Sequence, residues 1–241
     1  MLVGLWLIAW GLVGLTMGEL IRRRLQRLAY RLPAAADDPS GVSDELDRPA
    51  PGPRRWVTIG VTAAFSALAW RWSGGAPMIN GISWPSQMAL LANLQQASQL
   101  ADGLGWAALI TIGAWLAGVD ADVQRLPDRG QLALALCLIA SGVVFAWGHP
   151  QSWFTALGAG LAAAGLFAVM HWRRPEAMGL GDVKLVGTLA LWLGLHRLDL
   201  VFAGLLAACV LAGAYAAIRR RHHLAFGPAL IAGAIMAGVV T

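Results

Sequence analysis

Apolar residues fall in long blocks along this chain, separated by polar stretches that are mostly short. The blocks are about 1–20, 56–72, 103–119, 130–147, 152–171, 180–196, 199–218 and 224–241. A helix crossing the core of a bilayer needs roughly 20 apolar residues, and each block is that long or a little shorter. The pattern predicts an all-α fold: a polytopic membrane helix bundle of about eight transmembrane helices, held in the lipid bilayer.

The polar stretches are read one by one. Residues 1–20 have no basic region ahead of them and no small-residue cleavage motif, so they read as an uncleaved anchor. Glu19, at the end of that block, reads as an interfacial acid beside an arginine run. Residues 21–32 set Leu25, Leu28 and Ala29 against Arg22, Arg23, Arg27 and Arg31, the pattern of an amphipathic helix lying on the inner membrane surface. Residues 33–53, rich in Pro, Ala, Asp and Gly, read as a flexible cytoplasmic loop. The chain thus divides into residues 1–55, a first span with a basic loop, and residues 56–241, the main membrane domain. Between the second and third spans Gly74, Gly75, Pro77, Gly81 and Pro85 break the chain. Met88 to Leu100, with Gln95, Gln96 and Gln99, then reads as a short interfacial helix on the outer side.

Composition agrees with the pattern. The 241 residues are 58% hydrophobic and only 13% charged, too apolar for a soluble domain. The net charge of +5 is no nucleic-acid footprint, because the basic residues sort by side. Sixteen of the 18 lie in the first, third, fifth and seventh connections, and only Arg71 and Arg197 fall on the other side. The excess of Lys and Arg marks the cytoplasmic side. The expectation is a multi-pass protein of the cytoplasmic (inner or plasma) membrane with both termini outside. Cys137 and Cys209 lie within apolar blocks and read as buried, reduced thiols, from which neither a disulfide framework nor a zinc cluster can be built. His149, His171, His196, His222 and His223 sit at loops or helix ends, read as exposed or snorkelling, without metal-ligand spacing. The last two, with Arg219, Arg220 and Arg221, read as an anchor on anionic lipid. No metal site and no cofactor is expected.

Acids stand out against such a background, since an ionisable group in an apolar segment is costly and is a functional hypothesis by default. Gly179-Leu180-Gly181-Asp182-Val183-Lys184-Leu185 places one at the mouth of the sixth block. The third block runs straight into Asp120, followed by Asp122 and, after Pro127, Asp128. The glycines permit close approach of helices, here of the third and sixth spans. Pro127 ends or redirects the helix and Asp128 is placed to cap the next. Asp122 either ties electrostatically to Arg125 or Lys184 or takes a direct part in chemistry. Lys184 either balances the acidic cluster or snorkels. Asp120 and Asp182, brought together at a membrane face, point to an aspartyl protease. Two neighbouring carboxylates share a proton. The ionised one activates a water, and the protonated one donates to the scissile carbonyl.

These motifs resemble those of the type IV prepilin peptidase (leader peptidase) family, within the Gly-x-Gly-Asp-type intramembrane aspartyl proteases. One family motif, Gly-x-Gly-Asp followed by an apolar residue and Lys, reads Gly179 to Lys184 here. The other, Asp-x-Asp and then Leu-Pro-Asp, reads Asp120-Ala121-Asp122 and Leu126-Pro127-Asp128. The resemblance covers about residues 100–220 and thins at the N-terminus to Gly18 and Tyr30-Arg31-Leu32-Pro33. It implies catalytic Asp120 and Asp182, supported by Asp122, Asp128, Gly179, Gly181 and Lys184. It also implies pilin-like precursors as substrates, their apolar helix docked between spans and their short basic leader near Asp122, Asp128 and Glu176. Two departures stand out. Family members that also methylate the new N-terminus usually carry paired Cys-x-x-Cys motifs in the first cytoplasmic loop. Residues 21–55 contain no cysteine, so the resemblance carries the peptidase activity and not the methyl transfer. Val123 also stands where the bacterial enzymes often have His. Two other readings stay open: a non-catalytic pilus or secretion assembly protein of the same fold, and a proton-coupled transporter.

Overall fold

The computed structural model describes residues 2–31, 51–73, 86–147, 150–175, 178–219 and 225–240. Among them the regular elements are eight helices: α1 (Leu2–Gln26), α2 (Arg55–Ser73), α3 (Ser86–Val123), α4 (Asp128–Phe145), α5 (Pro150–Arg173), α6 (Leu180–His196), α7 (Leu198–Arg219) and α8 (Gly227–Val240). Each apolar block has become one helix. In lipid every backbone N–H and C=O needs a partner within its own segment, and the helix supplies it. Four stretches, Leu94–Val123, Asp128–Phe145, Gln151–Arg173 and Leu198–Ile218, are long and apolar enough to cross a membrane, and the protein is a polytopic membrane helix bundle.

The helices are not equivalent. The apolar window of α3 is 56% buried inside the protein, against 17% for α7, so α3 is the central post and α7 an outer one. α6 is the other inner helix, with Leu185, Val186, Leu189, Ala190, Trp192, Leu193 and Leu195 all buried. Phe154, Leu161, Phe202, Leu206 and Ile218 point outward from α5 and α7, over surface a bilayer covers. Cys137 of α4 and Cys209 of α7 are likewise free and exposed, not buried in the bundle. Helices that turn only a narrow stripe inward leave most side chains to lipid. Small residues set the closest approaches. A side chain on Gly187 of α6 would meet Ala164 of α5, and one on Gly204 of α7 would meet Leu193 of α6.

The structure departs from the sequence pattern at three places. The arginine stretch after residue 20 is not a separate surface helix: α1 runs unbroken to Gln26. Leu25 is wholly buried against Gly118 of α3, and the chain turns only at Leu28, whose φ of 54° ends the helix. Glu19 accepts hydrogen bonds from Arg22 (2.7 Å) and Arg23 (3.0 Å) one turn on, as an interfacial acid. The second departure is α3, a single 38-residue helix that absorbs the stretch from Met88 to Leu100. No proline interrupts it after Pro85, and Gln95, Gln96 and Gln99 stay exposed on its first turns. The third is His196, expected at the surface. Its Nε2 lies 2.8 Å from Asp102 Oδ1, and its ring stacks on Phe145 with centroids 4.6 Å apart. This buried pair ties the middle of α3 to the ends of α4 and α6, far from Asp120 along α3. Arg71 reinforces this region, donating to the Gly238 carbonyl and lying over the Trp106 ring.

Candidate active site

Asp120 and Asp122 occupy the last turn of α3. Two residues are about 200° of helix rotation, so the two acids face nearly opposite ways. Asp120 faces into the bundle and is 4% exposed. Its Oδ2 accepts a hydrogen bond of 3.0 Å from the backbone N–H of Gly227, the first residue of α8. The first N–H groups of a helix have no partner within it, and a carboxylate satisfies one of them here. Asp182, in the first turn of α6, lies within charge–charge reach of Asp120. Its Oδ1 is buried and has no hydrogen-bond partner. The ends of three helices, α3, α6 and α8, therefore converge on two carboxylates.

Leu126, 8% exposed in the α3–α4 connection, wedges this junction. A Cβ on Gly181 would stand 3.0 Å from Leu126 Cβ and 3.1 Å from Gln131 Nε2, and one on Gly227 would stand 3.4 Å from Leu126 Cδ2. The close approach at Gly181 is thus to the α3–α4 connection and to α4, not to the third span itself. The chain leaves α3 before α6 arrives, and the connection fills the gap. Gly179 meets only its own segment, with Asp182 Oδ2 3.7 Å from where its Cβ would be, and serves as the N-cap of α6.

Asp122 has neighbours that the sequence pattern did not single out. It binds Arg31, with Nε 3.0 Å from Oδ2 and NH2 3.0 Å from Oδ1. Arg54 NH2 lies 3.4 Å from Oδ2, and the Tyr30 hydroxyl donates to the same oxygen at 2.7 Å. All three charged side chains are more than nine-tenths buried. Burial, and after it the bond to Asp122, push the Tyr30 hydroxyl above its usual range, so it remains a donor. Tyr30 and Arg31 precede the first connection and Arg54 follows it, so Asp122 pins both ends of that connection to α3. Lys184 is not the partner of Asp122. It donates to Asp128 at 2.6 Å, and both side chains are well exposed. Asp128 is the first residue of α4 and does not cap it; the N-cap is Pro127, and no side-chain bond caps the helix. Glu176 lies outside the described residues, as do Leu32 and Pro33.

This difference in burial gives a measurable contrast. Asp122→Ala removes a buried carboxylate that both Arg31 and Arg54 pair with, a change that typically costs about 3–5 kcal/mol. Asp128→Ala breaks a solvated pair worth less than about 1 kcal/mol. Thermal unfolding in detergent should show a large drop for the first variant and almost none for the second. Equal drops would mean that the Asp122 network does not hold the connection.

Sequence reasoning missed Gly227, Arg54, Leu126 and Gln131. Gly227 carried a partial signal, because Gly227-Pro228 opens the last apolar block and proline favours the first turn of a helix. Nothing local tied it to Asp120, 107 positions earlier.

A model of the type IV leader peptidase family matches residues 107–217, from the middle of α3 to the end of α7. That segment holds both acid motifs. Residues 107–217 are thus a segment of type IV leader peptidase type. The chain's similarity to individual family members extends further. The prepilin leader peptidase/N-methyltransferase of Pectobacterium carotovorum subsp. carotovorum is 27% identical over 95% of this chain and 91% of its own length. The prepilin leader peptidase/N-methyltransferase of Aeromonas hydrophila is 32% identical over 69% of this chain and 63% of its own. The type 4 prepilin-like proteins leader peptide-processing enzyme of Escherichia coli O78:H11 is 33% identical over 54% of this chain and 51% of its own. No solved structure gives a significant match. Tyr30, Arg31, Arg54 and Gly227, which brace or complete the site, lie outside the matched family segment.

Proposed function

We propose that this protein is an aspartic-type endopeptidase that removes the cytoplasmic leader from type IV prepilin-like precursors, with Asp120 and Asp182 as the catalytic pair. One observation carries the reading: two carboxylates 62 positions apart in the chain lie within charge–charge reach at one end of the bundle, and an oxygen of Asp182 has no protein partner. The ionised acid takes a proton from a water, which attacks the scissile carbonyl. The protonated acid donates to the carbonyl oxygen, and the proton taken from the water then passes from the other acid to the departing amine. Gly227 keeps the Asp120 carboxylate in a fixed orientation through its N–H.

The same end of the bundle carries Arg22, Arg23, Arg31, Arg54 and Lys184, so the basic-residue rule makes it cytoplasmic. Water reaches the acids there without crossing lipid. Asp122 is committed to Arg31 and Arg54, which leaves exposed Asp128 to attract a basic leader. Lys184 shares Asp128 and softens that attraction.

Two relatives that align over most of this chain bear names with both peptidase and N-methyltransferase activity. With no cysteine in residues 21–55, we assign this chain the peptidase step alone, without zinc. Co-expression with candidate pilin-like precursors, in a host without another prepilin methyltransferase, should yield mature pilin by mass spectrometry. Its mass should lack the leader and carry no added methyl group, and chelators should leave cleavage unchanged. An N-methylated product would overturn the restriction to peptidase, and an intact leader on every precursor would overturn the peptidase reading.

A further inference from the structure

Gln131, one turn into α4, is 6% exposed, yet both ends of its carboxamide lack a hydrogen-bond partner. A buried amide that bonds to nothing is costly, and native proteins rarely keep one that is not completed by something else. Its surroundings indicate what completes it. Gln131 lines an open groove of about 400 Å³ between α4 and α6. The groove mouth carries Asp128, Arg129 and Lys184, while Leu132, Ala135 and Thr188 continue it along the apolar parts of the two helices. Charge thus gives way to apolar surface along its length. The amide lies beside Gly181, with Nε2 3.1 Å from where a Cβ on that residue would stand, and Asp182 is the next residue of the chain.

We infer that Gln131 is a substrate-binding residue, whose carboxamide pairs with the backbone of an extended precursor segment beside the scissile bond. This deepens the peptidase reading and rests on it. A carboxamide offers one acceptor and two donors, the complement of the C=O and N–H that an extended strand presents. Such a substrate is polar and basic on the cytoplasmic side of the scissile bond and apolar beyond it, the same order in which the groove changes character. A backbone contact tolerates different side chains, so it suits an enzyme that acts on several precursors. Gly181 leaves the amide its room: a side chain there would crowd Gln131 Nε2.

The test uses the full-length protein in detergent and a synthetic precursor containing basic leader, scissile bond and apolar helix. Gln131→Met keeps the length of the side chain and removes its polar atoms. KM should rise by about tenfold, the loss of one or two neutral hydrogen bonds, with kcat little changed. The melting temperature should hold or rise, because a buried unpartnered amide has been removed. Precursors in which single peptide bonds near the cleavage point are replaced by esters provide a second reading that leaves the protein intact. At one position the ester should weaken the parental protein by about tenfold and leave Gln131→Met no weaker than before. An unchanged KM for Gln131→Met, or ester effects equal in the two proteins, would overturn the assignment while leaving the peptidase standing. Failure of the parental protein to cleave any precursor would overturn the peptidase reading, and this inference with it.

Discussion

Asp120→Asn and Asp182→Asn should each reduce leader removal by at least about 100-fold, within the 10²–10⁴ range of a lost general acid or base. Both variants should still insert into the membrane. The geometry makes the stability side of this prediction specific. Asparagine at 120 keeps an oxygen that can accept from the Gly227 N–H, so the tie between α3 and α8 survives. What disappears is one of two neighbouring carboxylates in a poorly hydrated site, where like charges oppose each other. Asp120→Asn should therefore melt at the parental temperature or above it while cleaving almost nothing. The same trade is expected at Asp182, whose Oδ1 has no partner to lose. Asp199→Asn is the control, with its side chain exposed, paired with Arg197 and at the far end of the bundle from Asp120. Co-expression with a precursor, read by mass spectrometry and by thermal unfolding of the same samples, checks both halves. Full cleavage by either Asn variant would remove that acid from the mechanism. Loss of cleavage together with loss of folding would mean that the acids brace the bundle instead.

The helices were legible in the sequence because lipid imposes a length and a polarity on each of them. Every apolar block became a helix, and Asp120 and Asp182 stood out as acids at the ends of apolar runs. What the pattern hid was whatever depended on partners far along the chain. The arginines after Glu19 looked like a surface helix because their own spacing is amphipathic, yet burial of Leu25 against Gly118 carries α1 on to Gln26. The electrostatic tie of Asp122 was anticipated with Arg125 or Lys184, its neighbours in sequence or motif. Not foreseen were Arg31 and Arg54, which also bind it from the flanks of a connection with no apolar periodicity to place it. His196 read as a polar residue at a helix end, and its bond to Asp102 needs the packing of α3 against α6 to be known. Glycine spacing marked Gly181 as a point of close approach, but the neighbour was Leu126, an ordinary residue of a turn. Local physics reads from sequence, and the partner of a buried polar group does not.

Gly227→Ala should lower cleavage by about 100-fold while leaving stability close to parental. Gly227 is the first residue of α8 and is buried, with its N–H on Asp120 Oδ2. A Cβ added there would lie 2.7 Å from that same oxygen, closer than real Cβ contacts come. Alanine retains the N–H, so the hydrogen-bond donor itself remains. The methyl and the carboxylate cannot both keep their places, and the carboxylate, on a side chain with two free torsions, is the softer of the two. A displacement of about 1 Å is enough to cost on the order of 100-fold in a reaction that depends on alignment. Helix propensity works the other way, since alanine is the better helix former by up to about 1 kcal/mol. A fall in activity would therefore not be explained by a weakened α8. Gly158→Ala in α5 is the matched control, because nothing lies within 4 Å of the added methyl. It should cleave and melt as the parental protein does. Single-turnover cleavage separates the outcomes: misalignment lowers the rate of the chemical step, whereas damage to substrate binding leaves that rate intact at saturating precursor. A parental single-turnover rate in Gly227→Ala would show that the position of the Asp120 carboxylate beside Gly227 does not set the rate. The catalytic pair would then have to be sought in another arrangement of these helix ends.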